Sequence, residues 1–335
     1  MSASKPTAAD VHSAIRLLID NLVNIKDETG KFPLYLEDGR VIDTKSWAGW
    51  EWTHGIGLYG VWKYYEMTGD GSMLKIIEDW FAARFAEGGT TKNINTMAHI
   101  TYNAVNSQQP WDDTSMMTVL PLAKIGKLLG RPEYVAEAKR QFLIHIKYLF
   151  DPRTGLFFHG WEFDDAKGGG HSFAQARWAR GNSWITIVIP EILELLEFDI
   201  NDPIRLHLIH TLDAQCEALK RFQHPSGYWR TLIDQADKSS YVEASATAGF
   251  AYGMLKGQRK RYIGNQYRGT AEKAIQAVLS AIDSRGELQN TSFGTAMGHS
   301  LDFYREIPIT AMPYGQAMAI MALVEYLRTY SYLAC

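Results

Sequence analysis

The stretch GIGLYGVWKYYEMTGDGSMLKIIEDWF, residues 55–81, holds the fold in miniature. Ile56, Tyr59, Trp62 and Tyr65–Glu66 recur at the three- and four-residue spacing of one helix face. Thr68-Gly69-Asp70 then stops the helix, because glycine takes the left-handed C-cap conformation without a steric cost and the chain can turn. Met73, Ile76, Ile77, Trp80 and Phe81 restart the same spacing over residues 72–86. Two helices either side of so short a turn predict an antiparallel helical hairpin.

The same pattern extends in both directions. Val11, Ala14, Ile15, Leu18, Leu22 and Val23 form one stripe over residues 8–25. Met116, Met117, Leu120, Ile125, Leu128 and Leu129 form another over 114–129, ended by Gly130, and a helix follows over 133–149. Further helices are predicted at 182–198, 203–222, 241–256, 268–283 and 314–332. Pro190, inside the apolar run 185–196, should kink that helix or split it. The turns LLGRPEY (128–134) and EFDINDP (197–203) again separate paired helices. Strand signals are confined to the short runs Gly155–Trp161 and Gly227–Ile233, and no strand–helix alternation supports an α/β fold. No fixed repeat period and no Pro/Gly/Ser linker divides the chain. The reading is one all-α domain over residues 1–335 whose hairpins close into a ring, with an open solenoid as the structural alternative.

Composition narrows the function. The 335 residues carry 34 Lys+Arg against 37 Asp+Glu, a formal charge of -3, which argues against the basic surface that nucleic acid demands. Hydrophobic residues at 46% are enough for a large core and exclude a disordered chain. No stretch approaches the ~20 apolar residues of a membrane span, and the first residues lack an uninterrupted apolar signal region. A cytoplasmic protein without membrane or nucleic-acid partners is expected. Cys216 and Cys335 read as free thiols, and no Cys/His grouping has zinc spacing, so no metal is expected. Dinucleotide, P-loop, HExxH and GxSxG motifs are absent.

The ten Trp and seventeen Tyr cluster around glycines and charged residues, as walls of a sugar site do. Four segments stand out: WAGWEWTH (47–54), QQPWDDT (108–114), the run 156–184 with HGWEFDD and RWARGNSW inside it, and QHPSGYWR (223–230). Carboxyl groups among tryptophans are under-solvated, which prepares them to hold a proton near neutral pH and give it away. In WDDT, either Asp could cap the following helix. Trp111 and Pro110 favour Asp113 as the functional one, with Asp112 as cap or support. In HGWEFDD the candidate acid/base groups are His159, Glu162, Asp164 and Asp165. Arg180-Gly181-Asn182 between two tryptophans reads as a supporting element, or as an Asn182 cap with Arg180 in an ion pair. His54, His224 and His299 are individually weak signals.

In order along the chain, these segments resemble the unsaturated rhamnogalacturonyl hydrolases, glycoside hydrolase family 105, related to the unsaturated glucuronyl hydrolases of family 88. The resemblance rests on WTHGIGLYGVWKYYEMTGD (52–70), KNINT (92–96), WDDTSMM (111–117), GLFFHGW (155–161) and RWARGNSW (177–184). It continues through GYWRTLID (227–234), EASATAGFAYGM (243–254), TSFGT (291–295) and PYGQAMAIMAL (313–323). It implies an (α/α)6 barrel that binds a small oligosaccharide ending in a 4,5-unsaturated uronic acid. It also implies hydration of the C4=C5 double bond without a metal or organic cofactor. By position, the family's two acids fall on Asp113 and on the acid after HGW. Asp164 is the first choice there, with Glu162 next and Asp165 behind. Trp52, Trp229 and Arg230 match the substrate-contacting region, for sugar stacking and uronate pairing, and His54, His159, Trp161 and Arg180 are further candidate substrate contacts. The alternatives are another barrel enzyme, an epimerase or inverting glycosidase, or a non-catalytic helical carbohydrate-binding protein.

Overall fold

A computed structural model of the chain describes residues 5–35, 39, 41–86, 109–164, 169–235 and 240–330. KNINT (92–96), Asp165 and Cys335 lie outside the described residues. The helices are α1 (Ala8–Asn24), α2 (Trp52–Thr68), α3 (Gly71–Ala86), α4 (Leu120–Leu128), α5 (Pro132–Leu149), α6 (Ala179–Leu196), α7 (Pro203–Phe222), α8 (Ala244–Arg259), α9 (Arg268–Ala281), the short α10 (Leu301–Arg305) and α11 (Pro313–Tyr330). A π-helical turn, Ser115–Val119, runs directly into α4. Four two-stranded antiparallel ladders occupy the loops: β1 (Pro33–Tyr35) with β2 (Val41–Asp43), β3 (Phe150–Asp151) with β4 (Leu156–Phe157), β5 (Glu162–Asp164) with β6 (Gly169–His171), and β7 (Trp229–Arg230) with β8 (Val242–Glu243).

The helix starts and stops have local causes. Thr7 and Asp10 form a reciprocal capping box at α1. Gly69 ends α2 in the left-handed conformation, φ 67°. The Asp202 side chain accepts the backbone N–H groups of Ile204 and Arg205 and, with Pro203 behind it, starts α7.

Packing sorts the helices into two layers. Residues of α6, α8 and α11 are buried on every side through most of their length. These three pack in the order α6–α8–α11, with α2 against α11 and α4 against α6. Each of these five carries an outer partner: α3 on α2, α5 on α4, α7 on α6, α9 on α8 and α1 on α11. Outer and inner helices alternate along the chain, so the inner helices share one direction and their N-terminal ends open on one end of the barrel. The all-α reading and the ring therefore hold.

Pro190 does not split its helix; α6 runs through it. The proline removes the hydrogen bond to the carbonyl of Thr186, and that oxygen faces Gly253 of α8, where an added Cβ would lie 2.2 Å from it.

At the far end of the inner helices from their N-termini, one buried carboxylate ties four of them together. Glu191 of α6 accepts from Tyr59 (2.6 Å) and Lys63 (3.3 Å) of α2, and from Tyr252 and Lys256 of α8. Lys124 of α4 approaches it at 3.9 Å and donates to the Tyr59 hydroxyl at 2.9 Å. Burial alone would raise the Glu191 pKa, but Lys63, Lys256 and Lys124 overcome it and hold the carboxyl well below its ordinary range.

At the opposite end, His54 fixes the start of α2. Its Nδ1 accepts the Glu51 N–H (3.0 Å), which leaves Nε2 to donate to the Ser46 carbonyl (2.7 Å). Burial lowers its pKa from 6.5 to about 4, outweighing these hydrogen bonds.

Two outcomes follow. Glu191→Gln leaves buried lysines without their counter-charge, and denaturant unfolding should register a loss of about 3–5 kcal/mol; a loss under about 1 kcal/mol would contradict the tie. The unfolded chain protonates His54 more readily than the folded one. Its contribution to stability is therefore complete above the unfolded pKa of 6.5 and is lost as pH falls towards 4, about 3 kcal/mol in all. The His54 ring resonances should stay those of neutral imidazole down to about pH 5, and a midpoint near the ordinary value would refute this.

Candidate active site

A belt of extended loop segments crosses the N-terminal ends of the inner helices and brings the candidate residues together. Trp161 donates its N–H to the Pro110 carbonyl (3.0 Å), Trp111 and Gly160 form an antiparallel bridge, and Asp112 donates to the His159 carbonyl (2.9 Å). The belt continues from His159 to Ala176 (2.9 Å), from Ile233 to Arg177 (3.1 Å), and through β7–β8 to Ala244 and Asn290 (2.8 Å). The WDDT and HGW segments, separated by some fifty residues in sequence, are adjacent strands of one ladder.

At its centre lies a carboxyl cluster. Asp113 accepts the indole N–H of Trp184 at 3.1 Å on Oδ1, and His159 Nε2 lies 3.1 Å from Oδ2. The other ring nitrogen of His159 lies 2.7 Å from the Tyr304 hydroxyl, which itself accepts the Gly298 N–H at 3.0 Å. Nε2 faces a carboxylate, which only accepts, so Nε2–H donates to Asp113, while the Tyr304 hydroxyl lies between Nδ1 and Met297 Sδ. His159 packs between Trp178 and Trp111, with ring centroids at 4.5 and 5.7 Å. Burial pushes the Tyr304 hydroxyl pKa up, so it remains a donor.

Asp112 is fully buried, and among the described residues no side-chain donor or cation meets its carboxyl oxygens. It does not cap the following helix, where the N-cap position falls on Thr114 and no side chain closes the turn. Desolvation first, and the neighbouring Asp113 charge second, raise its pKa well above the carboxylate range. Among the described residues, Asp112, Asp113 and His159 form the group whose ligand-type atoms converge, all within 4.8 Å. The Asp113–His159 hydrogen bond already uses the imidazole N–H that a metal would have to displace. The cluster is suited to holding a proton. The π turn after it, with the Met116 and Met117 N–H groups both on the Asp113 carbonyl, is the kind of helix irregularity found at functional sites.

The second acidic segment lies further out. Glu162 and Asp164 are both partly exposed on β5, pointing to one side, with Asp164 opposite Gly169 and Glu162 opposite His171. Glu162 accepts from Gln109 Nε2 (3.0 Å), Gln109 in turn accepts the Trp111 indole N–H (3.1 Å), and His171 Nε2 lies 3.3 Å from the Glu162 carboxylate. Glu162 is thus wired to the WDDT segment, whereas Asp164 sits two residues further along the hairpin.

The other expected site residues divide. Trp52 stacks on Tyr314 at 5.1 Å and 11° and keeps part of its surface open. Trp161 lies beside Tyr148, ring centroids 5.8 Å apart, beneath the β5–β6 hairpin. His54 is the buried pin of α2. Arg180, expected at the substrate, is fully buried. Its guanidinium donates to the Ser292 carbonyl (2.7 Å), the Ser292 hydroxyl (2.5 Å) and the Phe293 carbonyl (2.9 Å), and lies over Trp178 and Tyr314. It clamps the 291–293 loop and cannot reach a ligand. Asn182 is no cap either; it bonds both backbone groups of Phe157. Trp229 is a core residue, fully buried against Phe250 with its indole donating to the Leu219 carbonyl (2.8 Å). Arg230 braces the β7–β8 loop through the Ser240 carbonyl (2.6 Å). Tyr304 was not anticipated: it lies on a five-residue helix far along the chain, and nothing local in LDFYR marks it.

The model of Glycosyl Hydrolase Family 88 matches residues 24–103 and 95–330. The chain is 28% identical over 324 residues to the unsaturated rhamnogalacturonyl hydrolase YesR of Bacillus subtilis, covering 84% of this chain and 90% of that protein. Two solved structures, each described as a possible member of the GH105 family, match it closely. The one from Salmonella enterica is 53% identical, with TM-score 0.92 over 98% of this chain and 97% of its own. The one from Klebsiella pneumoniae is 52% identical, with TM-score 0.90 over 98% and 96%. At 16% identity, the unsaturated glucuronyl hydrolase of Bacillus sp. GL1 shares the fold, TM-score 0.66 over 96% of this chain and 97% of its own. With that family model matched along most of its length and barrels this similar beside it, the chain belongs to Glycosyl Hydrolase Family 88 and groups with the GH105 structures.

Proposed function

We propose that the protein removes a 4,5-unsaturated uronic acid from the non-reducing end of rhamnogalacturonan-type oligosaccharides by hydrating the C4=C5 bond. The observation that carries this reading is the pairing of two unlike carboxyl environments. Asp113 is buried and held by Trp184 and His159, while a partly open acid, Glu162, is wired to the same segment through Gln109. Unlike environments are how one site keeps one carboxyl ionised and lets another exchange its proton.

The terminal sugar is an enol ether, and its C4 is the nucleophilic carbon. Glu162 gives its proton to C4, and the positive charge develops on C5 and the ring oxygen. The Asp113 anion stabilises that charge through a low-dielectric environment. Water adds at C5, and its proton returns to the Glu162 carboxylate, which restores the acid. The C5 hemiketal opens by breaking the C5–ring-oxygen bond, giving a C5 ketone. The anomeric hemiacetal so formed then expels the aglycone alcohol. One water is consumed, and the enzyme ends as it began. The retaining-versus-inverting carboxyl spacing does not govern this route, because the anomeric carbon is not attacked. Trp52, stacked on Tyr314 at the start of α2, supplies an aromatic wall for the sugar.

Glu162 takes precedence over Asp164 because of the hydrogen-bonded path through Gln109, and one assay separates them. Loss of the ultraviolet absorbance of the unsaturated uronate should accompany turnover of an unsaturated rhamnogalacturonan disaccharide. Glu162→Gln and Asp113→Asn should each lower kcat by about 100-fold or more with the fold intact, and Asp164→Asn by less than about 10-fold. A larger loss in Asp164→Asn than in Glu162→Gln would return the acid role to Asp164. Undiminished absorbance with the wild-type protein would end the hydration reading.

A further inference from the structure

Asp112 is a buried acid that the reaction above does not use. Among the described residues its oxygens meet no side-chain donor and no cation, only the backbone N–H groups of Asp112 and Asp113, and the residue is fully buried. One side of the carboxyl rests on the Cα of Gly181 at the start of α6, where an added Cβ would lie 2.2–2.5 Å from its atoms. Its other neighbours with titratable groups are Asp113 on its own segment, His159 on the facing strand and Tyr304 of α10. Arg180, the nearest cation along α6, spends its guanidinium on Ser292 and Phe293. An ionised carboxylate in that position would carry a desolvation cost of several kcal/mol, which the two backbone N–H contacts do not offset. A protonated one can donate to the neighbouring Asp113 carboxylate.

We propose that Asp112 is a positioning residue: it holds one proton against Asp113, so that the pair carries a single negative charge and that charge resides on Asp113. The proton from Asp112 is then a further donor to Asp113, beside the Trp184 indole and the His159 imidazole. Together they fix the orientation of the anion beneath the substrate. The elevated pKa of Asp112 agrees with this geometry. Gly181 is the residue that makes room for the arrangement, since any side chain there would push the acid off Asp113.

The role of Asp113 in this inference rests on the proposed function, but the proton does not, so the two can fail separately. The test is an infrared spectrum of the wild-type protein and of Asp112→Asn, with kinetics of Asp112→Asn and Asp112→Ala. The wild type should show a protonated-carboxyl carbonyl band at neutral pH that Asp112→Asn lacks. The Asp112 contribution to folding stability should fall as pH rises above the ordinary aspartate pKa, because the folded state binds this proton more tightly. It is read as the wild-type stability minus that of Asp112→Asn at each pH, a difference in which the opposite His54 slope cancels. Asp112→Ala should lose about 100-fold in kcat, and Asn, which keeps a neutral donor, should recover at least about tenfold of it. Absence of the band in the wild type overturns the proposal even if neither variant folds. Asn no better than Ala overturns the positioning role. If the wild type turns over no unsaturated oligosaccharide, the band and the pH slope still decide where the proton is.

Discussion

A carboxylate taken out of water has to be matched by donors or by a cation, or it has to keep its proton. Asp113 meets that demand with the indole of Trp184 and the imidazole of His159, and much of the barrel's upper end exists to hold those donors in place. Trp184 is set by α6, whose first turn is pinned to β4 through Asn182. His159 is set by the loop ladder and by Tyr304 from α10. Arg180 fastens the 291–293 loop beside them. The inner helices point their N-terminal ends at this region, and their dipoles favour negative charge there.

The two ends of the barrel solve the same electrostatic problem in opposite ways. Glu191 lies roughly 18 Å along α6 from its first residue and sits among three lysines, so it stays ionised and binds α2, α4, α6 and α8 into a ring. Asp112 has no cation beside it among the described residues and one like charge, and both burial and that charge push its pKa up. Burial is equal in the two cases; the partners decide the charge. The lower cluster is structural glue. The upper one leaves a charge arranged for chemistry.

The fold was legible because its signals are local. Amphipathic stripes mark α1, α5 and α7, and Gly69 and Asp202 act as stop and start signals where they stand. Boundaries slipped where tertiary pairing overrode local pattern: Val242 and Glu243 join β7 as a strand before α8 begins, and Arg180-Gly181, readable as a loop, are the first turn of α6. At the site, WDDT and HGW were visible as carboxyls and aromatics near glycine. The same signal misled for Trp229 and Arg180, because aromatics beside glycines also mark close packing, and only burial tells the two apart. Tyr304 carried no signal at all, since its role arises from a contact 145 residues distant in sequence.

Where water enters the sugar separates hydration of the double bond from ordinary glycoside hydrolysis. Turnover of an unsaturated rhamnogalacturonan disaccharide in oxygen-18 water, followed by mass spectrometry of the released uronate, measures this directly. Label at the C5 ketone oxygen, with the aglycone hydroxyl unlabelled, is the result hydration of the double bond requires. Label on the anomeric carbon, with the double bond intact, would mean that the carboxyl cluster serves an ordinary glycosidase and would contradict the account.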